Sequence, residues 1–372
     1  MQNFQLAELE IAAFNLLSQL CAGSAEGRKM VTSAPSFNAC FDKALGLVVS
    51  GGTTLQDRTE GAVEETDSVL NESENKETLA EGALLEPVSL VEAAYALLAS
   101  TVLTQKIQDS LICNSSFVAA CFNAARGGST SSVRKTALRI IARLSRVASS
   151  ESVLTPESAV DLLRETIIES NDTLEGAEGR NAQILAWEGL FCVFDKLQGE
   201  KQEQVIQDVG KLYSAVVKNR SLSKFKTASE RLHSAELAFL LTRIMLLALG
   251  NDHVVQTVGT WVIFPLVGTV QWRFDGKTTL ENDEAVYWEA CTNHSLLILA
   301  TWLEQGKPLT SDAAAPSNLK QNIWMVARPG KAPRKAVHFE AALTAASKNA
   351  ESSARLAAER LLTWLIESEQ DS

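Results

Sequence analysis

The chain has 372 residues, enough for two or three domains or one extended repeat array. Its 46% hydrophobic and 21% charged residues exclude a wholly disordered chain, a collagen and a small disulfide scaffold. A net charge of −11 argues against a protein that wraps nucleic acid, and Gly 20 with Pro 8 is sparse punctuation that favours helices over a turn-rich β fold.

Taken in order, the apolar spacing is helical nearly throughout. Phe4–Cys21 sets Leu6, Leu9, Ala13, Leu16, Leu17 and Leu20 on one face at three- and four-residue steps. Pro35 starts a second helix over Ser36–Val49, and Pro87 starts one that runs to about Thr104. Phe117–Ala125 and Val133–Val147 follow. Thr155-Pro156-Glu157 combines a cap hydroxyl, a proline and a first-turn acid, and predicts a helix to about Ser170. Later helices are predicted over Ala182–Leu197, Lys201–Lys218, Phe225–Leu249, Val254–Val270, Ala285–Leu303, Leu319–Ala327, Ala336–Lys348 and Ser352–Ile366. A strand would fit only at Trp261–Phe264 and Thr269–Phe274, so the fold class is all-α.

Gly51–Glu86 interrupts this pattern. It carries ten acids against two bases, a net −8, and no aromatic residue. Such a segment buries too little apolar surface to offset its ordering entropy, so it reads as a disordered insertion; a degenerate repeat is the alternative. Outside it the chain is almost neutral.

Two stretches raise the question of a membrane. Leu237–Leu249 is very apolar but contains Arg243; Val254–Trp272 is uncharged but contains Gln256, Gly259, Pro265 and Gly268. Their length suits an inserted hairpin over 237–270, whereas an arginine near a bilayer centre is costly, which favours core helices. The six cysteines are dispersed without a CxxC pair, which suits reduced thiols in a cytoplasmic or nuclear protein. The N-terminus lacks the basic and apolar regions of a signal peptide.

Internal repetition says most about architecture. Ala13-Phe14-x-Leu16-Leu17 matches Ala94-Tyr95-x-Leu97-Leu98, and Ala39-Cys40-Phe41 matches Ala120-Cys121-Phe122 at the same offset. A third copy begins near Val133, with weaker ones opening at Ala186-Trp187 and Ala235–Leu240. A helix–turn–helix unit of about 40 residues resembles the armadillo/HEAT superfamily. The resemblance implies an α-solenoid whose concave face binds extended peptides or protein domains. It divides the chain into a first repeat (1–50), the acidic insertion (51–86), further repeats (87–170) and Trp-rich C-terminal repeats (181–368). Import receptors of this type carry a Trp with an Asn one turn on. Here Trp187 is followed by Phe191, Trp288 by Thr292 and Trp302 by Gly306, so that activity is not implied.

No catalytic motif emerges. Walker, GxGxxG, HExxH and GxSxG patterns are absent. Cys291 and His294 have metal-like spacing but lack a second pair, and His338 with Glu340 lacks the partner cysteines of a zinc deaminase. No cofactor or metal is predicted. The candidate partner-binding residues are basic. Lys135, Arg139, Arg143 and Arg146 form one stripe opposite Leu138, Ile141 and Leu144, suited to an acidic peptide, a phosphate or the chain's own acidic segment. Lys211, Lys218, Arg220, Lys224 and Lys226 form a second basic segment, and Trp324 and Arg328 belong to a third beside Pro329-Gly330. The expected function is a non-enzymatic protein-binding scaffold or adaptor for an acidic peptide or domain. The alternatives are a membrane-associated protein inserting 237–270 and an enzyme whose site is remote in sequence.

Overall fold

The computed structural model describes residues 2–59, 89–126, 130–172, 177–219, 227–249, 262–274, 282–305, 336–349 and 352–370. Among them are fifteen α-helices and no strand. They form two units, Met1–Gly189 and Leu190–Ser372, with the boundary inside one helix.

The first unit contains α1 (Gln2–Gly23), α2 (Ala25–Ser33), α3 (Phe37–Thr59), α4 (Leu90–Thr101), α5 (Gln105–Ile112), α6 (Ser115–Arg126), α7 (Ser131–Leu144), α8 (Pro156–Asp172) and most of α9 (Ala177–Val193). Local chemistry sets the helix starts. Ser89 accepts from the Glu92 backbone N–H at 3.1 Å while Glu92 accepts from the Ser89 N–H at 2.9 Å, a reciprocal cap. The Ser24 hydroxyl caps α2, and Thr155, before Pro156, accepts from the Ser158 N–H at 3.2 Å. The short helices α2 and α5 were not foreseen. Helix α3 runs on to Thr59, so the first nine residues of the acidic segment are helical and 60–88 lie outside the described residues.

The helices that resemble one another in sequence lie against one another. Helix α1 packs on α4, α4 on α7, and α3 on α6. Helices α4 and α7 run parallel. At their N-terminal ends the Thr130 hydroxyl bonds Glu92; at their C-terminal ends the Arg143 guanidinium donates to the Ala99 carbonyl. The Tyr95 hydroxyl donates to the Ala120 carbonyl at 3.3 Å and ties α4 to α6. Ala93, Ala94, Leu97 and Leu98 of α4 are all buried, because this helix has a neighbour on several sides.

The second unit contains α10 (Gly199–Asn219), α11 (Ala228–Ala248), α12 (Ile263–Arg273), α13 (Asn282–Gln305), α14 (Ala336–Asn349) and α15 (Ser352–Gln370), preceded by a 3-10 turn at Phe194–Lys196. Successive helices pair as α10 with α11, α12 with α13, and α14 with α15. Each pair then stacks on the next: α10 on α12 on α14, and α11 on α13 on α15. Arg231 with Glu284 and Thr242 with His294 join α11 to α13 across 53 and 52 residues, so these helices are parallel and nearly in register. Thr269–Arg273, where a strand would also fit, lies within α12 and is helical. Its short apolar run has no edge to pair with and packs on α13 and α14 instead.

Tyr213 pins this unit. Its hydroxyl lies 2.9 Å from Thr269 Oγ1 and 3.3 Å from Ser295 Oγ. Both of those hydroxyls already donate to carbonyls of their own helices, Pro265 and Cys291, so the single Tyr213 proton is what they share, the shorter bond going to Thr269. One phenol thus bridges α10, α12 and α13. Trp288 and Trp302 are fully buried in this unit, and Trp272 packs edge-on against Trp288 at 5.2 Å, so these rings fill the core.

Helix α9 packs tightly at Gly189. A Cβ there would stand 2.7 Å from Leu163 Cδ1 and 3.2 Å from Ala142 Cα. The leucine tip can move but the α7 backbone cannot. Gly189→Val is therefore expected to destabilise the protein by about 1–3 kcal/mol. Urea unfolding measures this; an unchanged midpoint would mean that α9 does not press on α7 and α8.

Candidate basic site

The residues 124–150 contain no acid. The fold sorts the bases in this window onto two sides. Arg126 pairs with Glu165 at 3.0 Å and Arg134 with Glu169 at 2.6 Å, so one flank of α6 and α7 is neutralised by α8. Lys135, Arg139, Arg143 and Arg146 occupy another side. Lys135 and Arg146 are exposed, and Arg139 and Arg143 are half-buried. Among the described residues neither Lys135 nor Arg139 enters an ion pair.

Arg143 is not a solvated member of the stripe. Its guanidinium bonds the Ala99 carbonyl in the last turn of α4, a group with no acceptor role inside its own helix end. Burial pushes the Arg143 pKa down, and the neighbouring Arg139, Arg28 and Arg146 push it the same way, while Glu188 opposes them. Arg28, which sequence spacing did not connect to the stripe, comes from α2. Its Nη1 donates to the Cys21 carbonyl at 2.8 Å, in the last turn of α1. The Ser18 hydroxyl bonds the Ala96 carbonyl at 3.1 Å, so the two helix ends that receive these arginines lie side by side.

Beside Arg28 an apolar groove of about 230 Å³ runs between α1, α2 and α3, lined by Leu17, Met30, Val31, Phe37 and Cys40. The α1 surface next to it stays apolar and open: Leu9 is 69%, Leu16 59% and Leu20 48% exposed, and Met30 on α2 is 75% exposed. The third predicted cluster, with Trp324 and Arg328, lies outside the described residues.

The second unit gathers chemistry of another kind. Arg243 stacks on Phe191 at 3.9 Å and faces Phe239 at 5.4 Å. His294 stacks on Phe239 at 5.4 Å, and its Nδ1 lies 3.0 Å from Thr242 Oγ1. Cys291, one turn away, is buried against Tyr213, with Sγ 3.7 Å from the hydroxyl. The Cys291/His294 pair is thus split between two environments, and no group of three metal-binding side chains occurs among the described residues. All six cysteines are free thiols; Cys21, Cys121 and Cys291 are buried, whereas Cys113 is exposed. Among the described residues no helix is long and apolar enough to cross a membrane. Arg243, the charge inside the first apolar stretch, is held by aromatic faces. No protein-family model, curated protein or solved structure matches the chain.

Burial and the nearby Arg243 charge lower the His294 pKa from 6.5 to about 4. In the unfolded chain this imidazole takes a proton near pH 6.5; in the folded chain it resists until about pH 4. Stability is therefore lost as pH falls through that window, on the order of 2 kcal/mol after screening at the partly open ring. His294→Phe is expected to flatten the decline of Tm between those pH values relative to the wild type. A variant that keeps the wild-type slope would place the acid sensitivity elsewhere.

Proposed function

We propose that this chain is a non-enzymatic protein-binding scaffold of the armadillo/HEAT type. Two features support the solenoid reading. Helices of similar sequence stack parallel in the first unit, and the second is a succession of helix pairs stacked in the same way. A repeat stack offers an extended concave surface, suited to holding a partner by shape and charge. The free, mostly covered thiols fit a reducing compartment, the cytoplasm or nucleus.

The observation that carries the functional reading is the basic edge of α7. Arg126 and Arg134 are neutralised by α8, while Lys135 and Arg139 enter no ion pair among the described residues. The partner is an acidic peptide or an acidic protein domain. Charge of this kind chiefly sets encounter rate and specificity, and its contribution falls with salt.

Fluorescence polarisation of a labelled Asp/Glu-rich peptide against the full chain tests this. Binding is expected to weaken as salt rises from about 0.05 to 0.3 M, because the Debye length shortens. Reversing two charges with Arg139→Glu and Arg146→Glu is expected to reduce affinity by about tenfold or more. Equal binding by the double variant, at unchanged Tm, would overturn the assignment of α7.

A further inference from the structure

One face of α1 is apolar, exposed and free of charge. Helical geometry places Leu9, Ala12, Ala13, Leu16, Gln19 and Leu20 on one side, and all of them are exposed. The opposite side holds the buried Phe14 and Cys21, and the Ser18 hydroxyl that bonds Ala96 of α4. Leu9, Leu16 and Leu20 leave 69%, 59% and 48% of their surface in water. Leu17, which lines the groove together with Met30, sits between Ala13 and Leu20 at the flank of this face. The exposed side of α15 is different: beside Leu356 and Ile366 it carries Arg355, Glu359, Arg360 and Glu367. Single exposed leucines are ordinary, but a contiguous set marks an interaction site.

Spacing and charge point to the occupant. Leu9, Ala13, Leu16 and Leu20 follow four-, three- and four-residue steps, the a/d seam of a coiled coil. These steps read the same in both directions. An antiparallel second copy of α1 therefore sets Leu9 against the partner's Leu20 and Ala13 against the partner's Leu16. Large then meets small at the centre of the seam, which fills it without a void. A parallel copy sets Ala13 against Ala13 and leaves a gap there. Charge agrees. The only charged residues of α1 are Glu8 and Glu10, and Glu10 bonds Lys43. A parallel pair brings Glu8 to Glu8. An antiparallel pair brings it to the turn into α2, where Arg28 and Lys29 outnumber Glu26 and Lys29 is exposed. Among the described residues neither Glu8 nor Lys29 enters an ion pair. A lipid surface fits less well, since interfacial helices are rich in Lys and Arg and α1 has neither.

We propose that the exposed face of α1 is the two-fold interface of a homodimer, formed by antiparallel pairing with α1 of a second copy through Leu9, Ala13, Leu16 and Leu20. The contact is one helix wide, below the roughly 800 Å² per partner of a standard interface, so the dimer is weak and reversible. This goes beyond the scaffold reading and stands or falls independently of it.

Sedimentation velocity of the full chain over a concentration series tests this. A monomer–dimer equilibrium with a Kd on the order of 50 μM is expected. Leu16→Glu puts a carboxylate from each copy into the seam and is expected to leave only monomer. Its Tm is expected to stay unchanged, because Leu16 is exposed in the single chain and Glu is as good a helix former. Leu16→Ala opens a gap and Ala13→Leu crowds the centre, and each alone is expected to weaken the dimer about tenfold. The double variant exchanges small for large and is expected to return within about threefold of the wild type. Tightening by Ala13→Leu alone would overturn the antiparallel register, because a parallel pair gains from filling the gap. Monomer alone up to about 0.3 mM would overturn the dimer. Dimers undiminished in the folded Leu16→Glu variant would place the interface elsewhere. Assembly beyond the dimer would overturn the closed two-fold pairing. Monomers that bind phosphatidylcholine vesicles, and lose that binding with Leu16→Glu, would overturn the second copy in favour of a membrane surface.

Discussion

A helix pair has more apolar surface than its two members can cover, and the rest must be covered by the next pair. That constraint organises both units. In α4 the run Ala94-Tyr95-x-Leu97-Leu98 is buried throughout, since α1, α3 and α7 all press on this helix. The alanines let the backbones approach; the leucines fill what remains. In α1 the matching residues meet a different fate. Phe14 is buried, but Ala13 and Leu16 are exposed, although the residues are nearly the same. The difference is a neighbour. Helix α1 has α4 on one side, and among the described residues no helix covers the side that carries Leu9, Leu16 and Leu20. An exposed run of large apolar side chains is costly in water.

The repeat itself was legible because its copies keep both an aromatic and a pair of leucines in the same order. That pattern pointed to α1 with α4 and α3 with α6, and these are the helices in contact. The helix start at Pro156 was legible because cap, proline and acid are strong local chemistry. Helices α2 and α5 escaped because each is only about two turns long and mostly polar outside Val31, Ile107, Leu111 and Ile112. Over that length a 3.6-residue period hardly repeats. The Thr269–Phe274 run fits a strand as well as one face of a short helix. Only the neighbours α13 and α14 decide between them.

The basic site divides along the same line. Lys135, Arg139, Arg143 and Arg146 share a helix, so their common face follows from spacing alone. Arg28 joins them from more than 100 residues away in sequence, and from a helix that periodicity passed over. Nothing local links it to the stripe; the link is that α1 and α4 stack with their C-terminal ends together. The sorting of Arg126 and Arg134 onto Glu165 and Glu169 is likewise invisible until α8 is in place.

The placement of these arginines follows from the stacking. A helix leaves its last carbonyls unbonded and its C-terminal end partly negative. Parallel stacking puts several such ends in one place, so α1 and α4 together create a local demand for donors and positive charge. Arg28 and Arg143 meet that demand at Cys21 and Ala99. Each carbonyl holds its guanidinium with a single bond and cancels only a fraction of its charge. Arg28 and Arg143 thus stand at the same edge of the first unit, although the chain as a whole is acidic. Charge at this edge is therefore a consequence of how the repeats cover their apolar faces. Any change that shifts α1 against α4 is bound to disperse the arginines as well as open the core. Packing in this unit and the placement of Arg28 and Arg143 stand on the same helix ends.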